Sequence, residues 1–349
     1  MPQPAGVKVE KHCFPVDVRS RRAAAIVPVF LPFSGCPGRC VYCAQDRQTG
    51  AHAVRLPVIL EEAGRRVEAF SSGDCELAFY GGTFTALDAY ERQICLDFLD
   101  RMRECGLVRC ARCSTRPDAL SGTVLDEVRK HGLSLIELGV QSFDSSALAR
   151  SRRGYDGKTA LQSCRAVRKA GFELGIQLLP GMPGSTPELF LRDVDMALAE
   201  EPSCLRFYPC LVPEGTVLAR WYREGNYRPW PMNETVDTLG RALASAWAAG
   251  VPVIRLAVAP EAAFDTSLLA GPRHPALGAM VQARALLHTV ECLMREQGGQ
   301  AVHLELPARC QGFFYGDRGI LRRHWERLGL GKDKVAFTSA ECGSLYLTS

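Results

Sequence analysis

What most limits how this chain can fold is an alternation of short apolar strands and amphipathic helices, repeated roughly every 30–40 residues. Val27–Phe33 (VPVFLPF) has the pattern of a buried strand, ended by Ser34-Gly35. Cys75–Tyr80 (CELAFY) is a second, closed by Gly81-Gly82. Asp88–Cys105 then carries helical periodicity in Ile94, Leu96, Phe98, Leu99 and Met102, with Asp88 as the N-cap. Leu107–Thr115 reads as a third strand, Ser121–His131 as a helix stopped by Gly132, and Leu135–Val140 as a fourth strand. Gly157–Ala170 is a helix ending at Gly171, Phe172–Leu179 a fifth strand, Pro187–Ala199 a helix and Leu205–Leu211 a sixth strand. This order forces parallel pairing through right-handed crossovers. A barrel and an open doubly wound sheet both satisfy it, and both place their working residues in the loops after the strand C-terminal ends. A further helix spans Asn233–Ala249 and a further strand Val251–Ala257. Beyond about Pro260 the alternation weakens into a long helix, Ala276–Glu296, and a small mixed segment. The expected organisation is an α/β fold with a lead-in over 1–25, a catalytic portion over 26–259, and a segment over 260–349 that covers the free edge of the sheet.

The longest nearly apolar runs, Ala23–Phe33 and Ala242–Ile254, fall short of the roughly 20 residues of a membrane span. Met1–His12 has no apolar core of a secretory signal, which predicts a cytoplasmic protein. The net charge is 42 − 38 = +4, which neither demands nor excludes a nucleic-acid partner. Fifteen cysteines stand out. In a reducing compartment thiols stay free, so a clustered set points to metal binding or catalysis.

Directly after the first strand comes Cys36-Pro37-Gly38-Arg39-Cys40-Val41-Tyr42-Cys43. Structural zinc wants four ligands, so a zinc reading requires a distant fourth. Three thiolates on a [4Fe–4S] cube instead leave one iron open to a small molecule. Pro37 and the glycines let the loop wrap a bulky inorganic core, and Tyr42 sits just before the last cysteine. This loop resembles the signature of the radical S-adenosylmethionine enzymes, C-x3-C-x2-C with an aromatic before the last cysteine. That family folds as a (βα)6 partial barrel of the TIM type.

The later loops extend the resemblance toward the branch of Elongator's catalytic subunit and oxygen-independent coproporphyrinogen oxidase, from about Lys11 to Arg284, without the acetyltransferase domain that Elongator's subunit carries. Gly81-Gly82-Thr83 occupies the slot that meets the cofactor's methionine amino group, with Thr83 where an acid is usual. Ser114 in CSTRPD stands where Elongator-like members have glutamate. In GVQSFD the resemblance implies that Gln141 reaches the ribose, and that Arg153, twelve residues on, holds the methionyl carboxylate. Gly175–Gly184 (GIQLLPGMPG) supplies Gln177, Pro180 and Gly181 beside the adenine. With Tyr42, these are the expected S-adenosylmethionine contacts, and Cys36, Cys40 and Cys43 the metal ligands.

Catalytic side chains are less marked. His274, in Gly271-Pro272-Arg273-His274-Pro275, is a candidate acid/base or substrate ligand, and Cys210 a candidate hydrogen-atom donor. Both read more readily as structural residues, a lone loop histidine and a core thiol. Cys105, Cys110 and Cys113 lack the geometry of a second cluster, because residues three apart on a strand face opposite sides. The tail mixes Phe313, Phe314, Tyr315 and Trp325 with Arg318, Arg322, Arg323, Arg327, Lys332 and Lys334, a composition that suits single-stranded RNA or a solvated face over packed aromatics. The resemblance implies reductive cleavage of S-adenosylmethionine, fed by a reduced flavodoxin or ferredoxin type donor, with tRNA as a substrate. Alternatives are a tetrapyrrole, peptide or other small-molecule radical enzyme, and a non-catalytic iron–sulfur relay protein.

Overall fold

The computed structural model describes residues 8–19, 25–45, 55–70, 75–257 and 262–348. Contacts divide these into two compact units, one drawn from 25–230 and 262–272, the other from 8–19, 231–257 and 273–348.

The first unit repeats strand and helix: β1 (Ala25–Leu31), α1 (Leu56–Glu68), β2 (Cys75–Gly81), α2 (Ala89–Glu104), β3 (Cys110–Thr115), α3 (Gly122–Lys130), β4 (Leu133–Gln141), α4 (Ser145–Arg150), α5 (Gly157–Lys169), β5 (Glu173–Leu178), α6 (Pro187–Ala199) and β6 (Cys204–Phe207). The six strands lie side by side in chain order, and each neighbouring pair is parallel. An order that never reverses is barrel-type winding, since a doubly wound sheet has a switch point. Helix starts follow local chemistry: the Asp88 side chain accepts from Tyr90 N at 2.9 Å, and Ser121 Oγ from Val124 N at 3.3 Å.

The two faces of the sheet differ in kind. Leu77, Phe79, Ala111, Cys113, Ile136, Leu138, Ile176 and Phe207 form a buried apolar face. Phe190 of α6 meets Phe207 edge-on there at 5.5 Å. The alternate positions carry Glu76, Tyr80, Arg112, Glu137 and Arg206.

Two strand ends and one helix stand out as differing from the sequence pattern. β1 ends two residues early, because Phe33 adopts a positive φ of 58° and Cys36 N bonds back to Phe33 O at 3.0 Å. β6 stops at Phe207, just before Pro209, which has no N–H for a ladder. Helix α1 was legible in Leu60, Ala63, Gly64 and Val67, all buried at helical spacing, yet the strand-and-turn reading passed over it.

In the second unit, Val9–Phe14 pairs antiparallel with Gly343–Thr348, which pairs with Gln300–Pro307, beside Val335–Thr338. Helices Met232–Ala248 and Leu277–Gln297 pack on each other, with Arg284 bonded to Asp237 at 2.7 Å. The tail aromatics are core: Phe314 and Trp325 are fully buried and stacked at 4.4 Å, and Trp325 Nε1 donates to Phe314 O. They are not a platform for stacked bases. Only Tyr315 stays half-exposed, beneath the Arg322 guanidinium at 4.8 Å. No helix among the described residues is long and apolar enough to cross a membrane.

Because Val9–Phe14 and Met232–Ala248 find their partners in 273–348, a chain cut after Ala257 exposes the buried Leu239, Leu243 and Trp247. It is expected to lose soluble yield and its cooperative thermal transition. A soluble, cooperatively melting truncate would contradict this.

Candidate functional site

The loops after the strand C-terminal ends of the first unit converge on the cysteine loop. The tightest join lies between the first two. Thr83 N bonds to Ser34 O at 2.7 Å, and Gly82 N to Leu31 O at 2.8 Å. A Cβ on Gly82 would sit 2.0 Å from Ser34 O, and one on Gly35 2.3 Å from Thr83 O, so only glycine lets these backbones meet. Gln45 ties the loops again, accepting from Phe33 N at 2.6 Å and donating to Gly81 O at 2.5 Å. Val41 N reaches Ser151 O at 3.3 Å, and Leu218 N reaches Val41 O at 2.8 Å, which anchors the far side.

Within this frame Cys36 Sγ lies 3.3 Å from Thr83 Oγ1. Cys40 is buried and accepts from Arg153 Nη1 at 3.0 Å, with Arg116 Nη1 at 4.0 Å. Burial, and then the neighbouring Cys40 and Cys36 sulfurs, push the Cys43 thiol up to about 12. The Tyr42 hydroxyl is shut away from solvent with no hydrogen-bond partner. Among the described residues no group of His, Cys, Asp or Glu is gathered for a single metal ion. A cube spreads its ligands over separate corners, and three thiols in one glycine-bearing loop, with no fourth donor gathered among the described residues, fit three irons and leave one open.

Ser114 shares a small recess with Leu31, Ser34, Tyr80, Gly82 and Thr83. Gln141 is buried at a positive φ of 67°, and its Oε1 accepts from Gln177 Nε2 at 3.2 Å. Pro180 O accepts from Cys210 N at 2.9 Å, and Gly181 O from the Tyr227 hydroxyl at 2.7 Å. Burial pushes the Cys210 thiol up to about 12, which keeps it a neutral thiol. Three groupings therefore form: Cys36 with Thr83, Cys40 with Arg153, and Gln141 with Gln177. His274 belongs to the other unit, where its Nδ1 accepts from Ala276 N at 3.1 Å at the start of the long helix. That is a helix-start role.

Sequence reasoning missed the charged set on the polar face of the sheet. Arg112 donates to both Glu76 and Glu137, and all three are buried. Glu137 also accepts from the Tyr80 hydroxyl at 2.9 Å and pairs with Arg206 at 2.6 Å. Glu137 and Arg206 stand on strands either side of β5, Glu137 level with Gly175 and Arg206 level with Gln177. A Cβ on Gly175 would lie 2.9 Å from Glu137 Cγ, so the missing side chain leaves Glu137 its room. The signal was present as single charges inside apolar strand runs: CELAFY, CARCST, LSLIELGVQ and CLRF.

Two family models match: the radical SAM superfamily over residues 30–197 and the radical SAM C-terminal domain over residues 202–287. The chain belongs to the radical SAM superfamily, whose enzymes use a [4Fe–4S] cluster, S-adenosylmethionine and a reductant. It is similar to the tRNA uridine(34) acetyltransferase of Dehalococcoides mccartyi, 26% identical over 61% of this chain and 54% of that protein. It is also similar to Elongator complex protein 3 of Saccharomyces cerevisiae, 26% identical over 65% of this chain and 49% of that one. The chain thus spans about half the length of these curated relatives. Among solved structures, archaeal Methanocaldococcus infernus Elp3 with an N-terminal deletion aligns with a TM-score of 0.59 at 22% identity, over 79% of this chain and 64% of that one. The fold is the partial barrel expected.

The loop that carries Gln141 hangs on Asp193 of α6. Its carboxylate accepts from Ser142 Oγ at 2.6 Å and from Phe143 N at 2.8 Å. Burial outweighs these bonds and pushes Asp193 up to about 6. A raised carboxyl pKa contributes stability that is full below about pH 4 and lost as pH rises through 6, here about 3 kcal/mol. An asparagine side chain at this position would keep an acceptor for Phe143 N and have no charge to gain. In denaturant unfolding from pH 4 to 7, wild type is expected to lose about 2 kcal/mol relative to Asp193→Asn. Parallel curves would refute the assignment.

Proposed function

We propose that this chain generates a substrate radical from S-adenosylmethionine, with Cys36, Cys40 and Cys43 as the only protein ligands of one [4Fe–4S] cluster. The observation that carries the reading is the interlock of the cysteine loop with Gly82-Thr83, with Cys36 Sγ beside Thr83 Oγ1 at a small recess where Ser34, Thr83 and Ser114 meet the apolar Leu31, Phe79, Phe84 and Leu87. When bound, the cluster and S-adenosylmethionine supply reductive C–S cleavage to a 5′-deoxyadenosyl radical. The protein's task is then to bind and orient. Gly81, Gly82 and Thr83 offer backbone to the methionyl end, and Ser114 offers a neutral hydroxyl at the same recess. Gln141, with its amide fixed by Gln177, faces the nucleoside, and the Pro180-Gly181 turn borders the base. The unpartnered Tyr42 hydroxyl is a donor with nothing in the protein to meet. Val41 and Ala44, both buried, flank the loop with apolar surface that limits water.

The substrate we favour is tRNA. Two observations support it: the named activity of the similar tRNA uridine(34) acetyltransferases, and the exposed cations Arg318, Arg322, Arg323 and Arg327 on one short stretch of the second unit. The electron donor is a small acidic redox protein of the flavodoxin or ferredoxin type. The fifteen cysteines are thiols rather than disulfides, which suits a cytoplasmic location.

Anaerobically reconstituted wild type is expected to carry about four irons per chain and, on dithionite reduction with S-adenosylmethionine, to release 5′-deoxyadenosine. Cys40→Ala is expected to lose most of its iron and all of that product. Retention of full iron and sulfide in Cys40→Ala would overturn the ligand assignment.

The RNA reading has its own test. Filter binding of bulk tRNA is expected to weaken with salt at a log–log slope of roughly −0.7 per phosphate neutralised. Arg322→Glu with Arg323→Glu is expected to flatten the slope by about 1.4, with the thermal midpoint lowered only slightly, through loss of the Arg322 contact over the Tyr315 ring. Absence of binding at low salt by cluster-loaded protein would point instead to a small-molecule substrate.

A further inference from the structure

We infer that Arg153 is a positioning residue for the iron–sulfur centre: it donates to the Cys40 sulfur and raises the centre's reduction potential. This rests on the reading of Cys40 as a cluster ligand.

The geometry is specific. Arg153 is 6% exposed, and its Nη1 approaches Cys40 Sγ at 3.0 Å, close for a hydrogen bond to sulfur. The rest of the guanidinium is locked. Nε and Nη2 both donate to the Tyr155 hydroxyl, at 3.0 and 2.8 Å, and Nη2 donates to Gly139 O at 2.7 Å. Tyr155 is itself buried and donates its hydroxyl proton to Gly139 O at 2.8 Å. Neither Tyr155 nor Gly139 carries a negative charge.

Charge balance makes the same point. A buried cation is stable only when an anion meets it. Among the described residues no carboxylate lies within ion-pair distance of Arg153, whereas its neighbour Arg116 is paired with Asp118 at 2.7 Å. Arg116 donates in turn to Arg153 O, so the two cations sit on one framework facing one sulfur. Among the described residues, the Cys40 sulfur is the group at hydrogen-bond distance from Arg153 that would carry negative charge as an iron ligand.

The consequence is electronic. Reduction adds one negative charge to the centre, and a fixed cation hydrogen-bonded to a ligand sulfur stabilises the reduced form over the oxidised one. The dry surroundings keep that interaction from being screened. This differs from the role that the resemblance implies. To hold a methionyl carboxylate with its full fork, Arg153 would have to release Tyr155 and Gly139.

The test is a redox titration of the anaerobically reconstituted full chain, followed by electron paramagnetic resonance without S-adenosylmethionine. Arg153→Gln, which removes the charge, is expected to shift the reduced-to-oxidised ratio at fixed potential about tenfold toward oxidised, about 59 mV for one electron. Arg153→Lys keeps the charge but not the fork, and is expected to shift less. Tyr155→Phe leaves Arg153 in place and removes the acceptor that orients it, so a smaller shift in the same direction is expected. If Arg153→Gln fails to fold or load iron, Tyr155→Phe decides alone. Loaded variants with an unchanged or raised midpoint overturn the inference. So does a loss of S-adenosylmethionine affinity with an unmoved midpoint, which identifies the carboxylate clamp. A wild type that takes up no cluster overturns the site reading and the inference together, whereas a loaded wild type with unmoved variants overturns the inference alone.

Discussion

The structure depends on two backbones meeting with no side chain between them. After β1 and β2 the chain turns, and Ser34 O and Thr83 O each occupy the space that a Cβ on Gly82 or Gly35 would need. That contact converts neighbouring parallel strands into a rigid corner. The cysteine loop hangs from one wall and the Gly82-Thr83 turn, with Thr83 fully buried, forms the other, and there the Cys36 sulfur meets Thr83 Oγ1. A methyl group at either glycine would force a shift of tenths of an ångström to more than one. That displacement would be felt at all three sulfurs.

The polar face of the sheet is built on the opposite principle. Glu76 and Glu137 balance Arg112 and Arg206, so two buried carboxylates meet one buried guanidinium and one partly exposed one, with no net charge. Such a set adds little to stability beyond an apolar replacement, but loss of one member leaves a buried charge that costs about 3–5 kcal/mol. Its members come from β2, β3, β4 and β6, and they interlock only in one strand register. It thus fixes the register of the strands whose ends carry the site. The hydroxyls of Tyr80 and Tyr208, both bonded into the set through Arg206, continue it toward the loops.

Much of the site was legible because its chemistry is local. Three cysteines within eight residues, two adjacent glycines after a strand, and a Pro-Gly turn after another need no tertiary information to be recognised. Arg153 shows where such reading stops. Its spacing from Gln141 marked it as a site residue, but its partners Cys40 and Tyr155 lie 113 and 2 positions away, and only folding reveals that the sulfur takes its Nη1. The tail shows an alternative that sequence leaves open. Aromatics interleaved with arginines have one composition whether they stack on bases or on each other, and burial of Phe314 and Trp325 decided it.

By itself the sequence determined the α/β alternation, the parallel pairing and the identity of the cysteine loop, because periodicity and short-range spacing are properties of the chain. It also marked the caps at Asp88 and Ser121, whose hydrogen bonds span two or three residues. The tertiary structure decided what depends on long-range approach. It settled barrel-type order over a switch point, since strand order is set by which edges meet. It made Val9–Phe14 a neighbour of the last strand, Gly343–Thr348, at the other end of the chain, and it assembled the charged face from four separate strands. A single glutamate or arginine in an apolar run reads as an anomaly in one dimension. It becomes a paired group only when the strands are laid side by side.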